Sequence, residues 1–216
     1  MKYYLSSYHV GDHGNQLAKL AEGGTIAYIP NALDHVPLDQ LKENRARNLS
    51  DLSDLGIAVE LFDLKDFFSD QRSLKEQLSR FSGVWVTGGN TFVLRQAMKL
   101  SGFDKLMSAG LPDSFLYSGY SAGVCVLAPD LKALQIVDRP NEFPYPQQKE
   151  VIWDGLNILD YIILPHYKSE HPESADIDQE VEYCQKNNIP YKTLRDGEAF
   201  FGNDINCLKR SININP

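Results

Sequence analysis

The sequence predicts an α/β fold of three layers, with helices on both faces of a doubly wound, mostly parallel sheet. Three observations lead there. Short β-branched or aromatic runs recur along the 216 residues, segments of helical period separate them, and glycine turns stand where one gives way to the other. Strand and helix alternating at such intervals build βαβ units, whose crossovers keep the strands parallel.

The elements follow in order. Buried strands are expected over residues 3–6, 25–29, 58–62, 83–87, 115–118 and 161–164, each a short apolar run too brief for a helix. Helices are expected between them, over 15–21, 38–55, 74–80, 92–99 and 104–108, with a further one over 174–186 that carries the acids Asp176, Asp178, Glu180 and Glu182. Residues 139–150 hold three prolines and two glutamines and should form an irregular surface loop. From 191 to 208, strand-like runs alternate with turn signals at Asp196-Gly197 and Gly202-Asn203-Asp204, the pattern of hairpins at a sheet edge. No repeat or linker divides the chain, so residues 1–216 are expected to form one domain.

Composition narrows the functional classes. With 43% hydrophobic and 23% charged residues the chain can bury a substantial core. Its net charge of −8 repels phosphate backbones, and basic residues such as Lys42, Arg45 and Arg47 are scattered among acids on what reads as a solvated helix face. Nucleic acid is therefore not an expected partner. Cys125, Cys184 and Cys207 show no CxxC spacing, which disfavours both a disulfide scaffold and structural zinc. The first residues are too polar for a signal segment and no apolar run is long enough to span a membrane, so a soluble cytoplasmic protein is expected.

The strongest local signal is Tyr117-Ser118-Gly119-Tyr120-Ser121-Ala122-Gly123, set between an apolar strand and a helical pattern. A serine there sits on a sharp strand-to-helix turn with its hydroxyl presented at the carboxyl end of the sheet. A second glycine turn, Thr87-Gly88-Gly89-Asn90-Thr91, reads either as a capped βα turn or as part of an oxyanion hole in which Gly88 or Gly89 joins Ala122. Among five histidines His166 has the best position for a general base, just past the strand ending at Leu164. His171 lies in a polar loop and reads as solvent-exposed; His9 and His13, separated by glycines, read as loop residues rather than metal ligands. An imidazole base is normally oriented by a carboxylate, and here Asp196 and Glu198 are both candidates that spacing does not separate.

Taken together, Gly88-Gly89-Asn90-Thr91-Phe92, Gly119-Tyr120-Ser121-Ala122-Gly123 and Leu164-Pro165-His166 resemble the peptidase E family, which also includes cyanophycinase. The opening Ser6-Ser7 and the late Asp-Gly turn match in order, so the resemblance spans nearly the whole chain. It implies a fold akin to class I glutamine amidotransferase domains, the chain order Ser, His, acid, and catalysis without metal or organic cofactor. Aligning the late turn on its glycine puts Asp196 at the position where the family usually has glutamate, which favours it over Glu198. The resemblance further implies small peptide substrates, possibly dipeptides with N-terminal aspartate, handled by a monomer or homodimer. Asn90, Asp138 of the Asp138-Arg139-Pro140 string, Arg139 and Lys168 are its candidate substrate contacts; no arginine stands in Ser174-Ala175-Asp176-Ile177-Asp178, where one would be sought for an aspartyl carboxylate. The rival expectations are a small-acyl esterase, a glutaminase-like enzyme, and a binding module of the same fold without chemistry.

Overall fold

The structure, a computed structural model, describes residues 1–204. Five strands, β1 (Lys2–Ser6), β2 (Ile26–Ile29), β3 (Val59–Leu61), β4 (Gly83–Val86) and β5 (Leu116–Tyr120), run parallel in one sheet. The sheet is completed by β8 (Ala199–Gly202), which pairs antiparallel with β1, giving the order β3-β2-β4-β5-β1-β8. Strands β6 (Ile162–Leu164) and β7 (Tyr191–Thr193) form a separate parallel pair.

The pleat explains the layers. One face turns Tyr4, Ile26, Tyr28, Trp85, Leu116 and Tyr120 toward Leu17 and Ala21 of helix α1 (Gly14–Ala21) and Leu52 of helix α2 (Leu38–Asp54). The opposite face turns Tyr3, Leu5, Ala27, Ile29, Val84, Val86 and Tyr117 toward α3 (Gln71–Leu78), α4 (Thr91–Ser101) and α5 (Phe103–Ala109). Alternate residues of a strand point to opposite faces, so central strands covered on both sides are apolar throughout. Every residue of β2, β4 and β5 is buried. A third cluster joins the short helix α6 (Ala122–Cys125), β6 and Ile177, Val181 and Cys184 of helix α7 (Ser174–Lys186).

The six expected strands and six expected helices are all present, with ends shifted by a few residues, but β3, expected to be buried, is a largely exposed strand at the sheet edge, where only one neighbour covers it. The loop over 139–150 has no regular element, as anticipated. The late hairpins are a correction. The Asp196-Gly197 turn joins β7 and β8, but these do not pair with each other: β7 goes to β6 and β8 to β1. Turn chemistry is local, whereas the choice of pairing partner is set by which edges the rest of the fold leaves open. Residues 205–208 of that expected segment, and Cys207, lie outside the described residues.

Candidate active site

Ser121 follows β5 directly and precedes α6, with φ 48° and ψ −118°, a conformation costly for any residue with a side chain. Its backbone is tied down on both sides. The Ser121 N–H donates to Ser7 O at 3.2 Å, and Ser121 O accepts from Val124 and Cys125 N–H at 2.8 and 2.9 Å. The two elbow glycines allow the turn to fold over β4: a Cβ on Gly119 would lie 2.5 Å from Val86 O, and one on Gly123 would meet the same carbonyl.

Beside the elbow, the chain leaving β4 passes through Gly88 and Gly89. A Cβ on Gly88 would lie 2.7 Å from Cε2 of Tyr120 and 3.0 Å from Cβ of Ser121, so the second glycine turn is pressed against the first. The Gly88 N–H faces the Tyr120 oxygen. Neither the Gly89 nor the Ala122 N–H has an acceptor among the described residues. Asn90 caps α4, its side-chain oxygen accepting from Phe92 and Val93 N–H at 2.8 and 3.1 Å while its amide donates to Arg139 O at 2.9 Å. The capping reading of this motif is thus realised, and Gly88 just before the cap packs against Ser121.

The β6–β7 pair brings His166 and Asp196 together across thirty residues of sequence. Leu164 pairs with Thr193, and the ladder continues as Leu194 N–H to Leu164 O and Tyr167 N–H to Leu194 O, both 3.0 Å. Just beyond, His166 Nδ1 lies 2.8 Å from Asp196 Oδ1. Ser7, at the end of β1, bridges them: its Oγ accepts from His166 N–H and lies 2.8 Å from Asp196 Oδ1 as donor. Asp196 N–H donates to Ser169 Oγ at 2.8 Å. Glu198 goes elsewhere; exposed, its Oε2 accepts from Arg195 N–H at 2.8 Å and closes its own turn.

His166 is 2% exposed with φ 60°. Burial, then the neighbouring His171, push its pKa down to about 4 against the pull of Asp196. The imidazole is therefore neutral near pH 7, the state that acceptance of a serine proton requires. His171 corrects the sequence expectation. It is not solvent-exposed but stacked on His166, ring centroids 3.7 Å apart and planes 11° apart, with Tyr8 edge-on to both rings. Its polar sequence neighbours gave no sign of this.

Ser121, His166, Gly88, Gly89, Asn90, Asp138 and Arg139 all line one cavity of about 510 Å³, in the size range of small-molecule sites. Lys168 is not on its wall; its Nζ lies 5.1 Å from the Tyr167 ring centroid. Asp138 accepts from Thr91 N–H at 2.8 Å, holding the start of α4, and burial raises its pKa to about 7. Arg139 is largely exposed, 3.8 Å from Glu142. Cys125 faces away, its Sγ 3.4 Å from Ile163 O and its pKa pushed up by burial.

The cavity also holds residues that sequence reasoning did not single out, Tyr8, His35, Arg47, Tyr120 and Glu173, together with His9, which it had read as a loop residue. His9 stacks on Tyr120 at 4.8 Å, while His13 turns to Phe201 at 5.5 Å, so the two diverge. Arg47 donates to the Tyr8 hydroxyl at 3.2 Å, and among the described residues no carboxylate pairs with it. The group of described residues with ligand atoms close enough to hold a metal ion is His166, His171 and Glu173. None of the described helices is long and apolar enough to cross a membrane.

A model of peptidase family S51 matches residues 7–207. The uncharacterized peptidase Lin0382 of Listeria innocua is 28% identical over 173 residues, covering 80% of this chain and 69% of that protein. Peptidase E of Streptomyces coelicolor is 27% identical over 184 residues, covering 82% and 68%. A 1.5 Å crystal structure of a candidate peptidase E from Listeria monocytogenes EGD-e superposes with a TM-score of 0.70 at 24% identity, covering 93% of this chain and 97% of the other.

Proposed function

This chain belongs to peptidase family S51, a serine-type peptidase by that membership, and from that premise we propose that it hydrolyses small peptides through an acyl-enzyme on Ser121. The observation that carries the proposal is the strained serine sharing a cavity with a buried, neutral imidazole whose far nitrogen is held by a carboxylate. Strain at a non-glycine elbow is retained where it presents a reacting group.

In this mechanism Ser121 Oγ attacks the peptide carbonyl carbon as His166 Nε2 takes its proton. The oxyanion forms against the Gly89 and Ala122 N–H groups, which carry no other acceptor among the described residues. Asp196 stabilises the imidazolium and fixes the tautomer in which Nδ1 bears the proton. The imidazolium then protonates the leaving amine, and water, activated by the same base, releases the acyl group. Burial of Cys125 away from the cavity speaks against a thiol route.

The finer reading is a dipeptidase for N-terminal aspartate. Arg47 and Arg139 are cations on the wall that could meet an aspartyl carboxylate, and neither stands where the sequence comparison sought one. The test is hydrolysis of an Xaa-Leu panel including Asp-Leu by the parent and Ser121→Ala. Loss of at least about 10³-fold in the variant is expected, since triad members act as a unit. Undiminished cleavage by Ser121→Ala would refute the mechanism.

A further inference from the structure

Ser7, half of the opening Ser6-Ser7 pair, touches all three members of the proposed triad. Its carbonyl oxygen accepts from Ser121 N–H at 3.2 Å. Its Oγ accepts from His166 N–H and faces Asp196 Oδ1, both at 2.8 Å. Ser6 has no such place; its hydroxyl turns to Tyr8 O at 3.5 Å. Ser7 is completely buried and absent from the cavity wall, so it meets the catalytic groups from behind and not the substrate.

The Ser7 hydroxyl has one proton to give and two acceptors in range, Leu194 O at 3.3 Å and Asp196 Oδ1 at 2.8 Å. The shorter bond, to a carboxylate, is the stronger. Asp196 Oδ1 thereby receives two donors, the Ser7 hydroxyl and His166 Nδ1–H, and these are the donors to that carboxylate among the described residues. The Asp196 side chain is 24% exposed, so a carboxylate held by the imidazole alone is free to turn toward water. The same Ser7 oxygen holds the backbone of His166 in its left-handed conformation at φ 60°. Base and acid share one anchor.

We propose that Ser7 is a positioning residue, whose hydroxyl fixes the Asp196 carboxylate against the His166 ring and so keeps Nε2 aimed at Ser121. This rests on Ser121, His166 and Asp196 being the triad. No proton leaves Ser7 in this role. Two consequences separate it from mere support of the fold. Its loss should fall on kcat rather than KM, since Ser7 meets no substrate. The loss should also shrink once Asp196 is gone, because the carboxylate to be positioned is then missing.

The test is a double-mutant cycle of Ser7→Ala and Asp196→Ala. It is read as kcat and KM on the best dipeptide of the panel, and as the rate at which a fluorophosphonate labels Ser121. Ser7→Ala should lower kcat and labelling about ten- to a hundredfold, the loss of a hydrogen bond to a charged group, with KM within about threefold. In Asp196→Ala protein the same change should cost at least about fivefold less. His166 N–H loses its acceptor in both backgrounds, so the cycle cancels that part. Ser7→Cys, a weaker donor of nearly the same shape, should fall between parent and Ser7→Ala at close to the parent's Tm, and it carries the same cycle if Ser7→Ala does not fold. Equal losses in the two backgrounds, a loss carried by KM with kcat unmoved, or no loss in the variant that folds overturns the proposal. Failure of both variants to fold would make Ser7 a structural residue and overturn it as well. Ser121-dependent turnover with an additive cycle would remove the role of Ser7 alone; turnover independent of Ser121 would remove the triad on which it rests.

Discussion

Replacing Asp196 by asparagine separates the two candidate acids and measures what the carboxylate contributes. In the parent, His166 Nδ1 donates to Asp196 Oδ1 at 2.8 Å, and the same oxygen faces the Ser7 hydroxyl. Asparagine can sit two ways. With its oxygen toward the ring it keeps the tautomer but loses the charge that stabilises the imidazolium, a loss on the order of 10²–10³ in rate. With its NH2 toward the ring it forces the proton onto Nε2, and the base is then blocked, at a cost on the order of 10⁴. The expected fall in kcat/KM therefore lies between about 10² and 10⁴, or about 3 to 5 kcal/mol of barrier. Glu198→Gln is the control: an amide oxygen still accepts from Arg195 N–H, and a surface change of this kind should stay within about twofold. The assay is kcat/KM on the best dipeptide of the panel, paired with the rate at which a fluorophosphonate labels Ser121. An Asp196→Asn enzyme within tenfold of the parent, or a hundredfold loss in Glu198→Gln, would refute the assignment.

Two further predictions concern protons. With His166 at about 4, kcat/KM should rise through that pH and be flat by pH 6; removing the depressing neighbour in His171→Ala should move the acid limb upward, and an unchanged limb would count against the stacked pair acting on the base. Glu180, at about 9 when folded against 4.5 as its ordinary value, holds a proton that the unfolded chain has released, so between those pH values stability falls as pH rises, by at most about 1.4 kcal/mol per unit. The Tm of Glu180→Gln relative to parent should therefore be more favourable at pH 8 than at pH 5.5; an equal difference at both would show that the group is not buried as described.

The sheet and the elbow were legible because their signals are local. Continuous apolar runs such as Gly83–Val86 report burial on both faces, and Gly119 and Gly123 around a serine report a turn with no room for side chains. Partnerships were not legible. Strand β7 carries the Asp196 turn to β6, and nothing in residues 191–193 names that partner. His171 looked like a loop residue because burial by stacking on His166 depends on a fold-wide approach. Glu180 is different, since its signal was present. Ile177, Glu180, Val181 and Cys184 stand at i, i+3, i+4 and i+7 of α7, and all four are buried. The sequence reading named Glu180 only as one of four acids on this helix, because it weighed charge content rather than which face each acid stands on.

Asp196, the acid of the proposed triad, shows how backbone placement can substitute for side-chain length. Aspartate reaches about 1.5 Å less far than the glutamate that the family resemblance led one to expect, so the turn itself must come closer. It is held there on three sides: Leu194 O accepts from Tyr167 N–H at 3.0 Å, Gly197 O from Asp12 N–H at 2.8 Å, and Glu198 O from Ser7 N–H at 3.1 Å. Gly197 sits at φ 96°, a conformation that side chains rarely adopt, and a Cβ there would also press on the Asp12 carboxylate at 2.6 Å. Ser7 belongs to the same arrangement, touching the base through its backbone and the acid through its carboxylate. A turn so fixed leaves the 2.8 Å contact to a short, stiff side chain, and a longer one at position 196 would have to fold back to make it. The acid is thus specified less by residue 196 alone than by the strand ends of β1, β6 and β7 that meet around it.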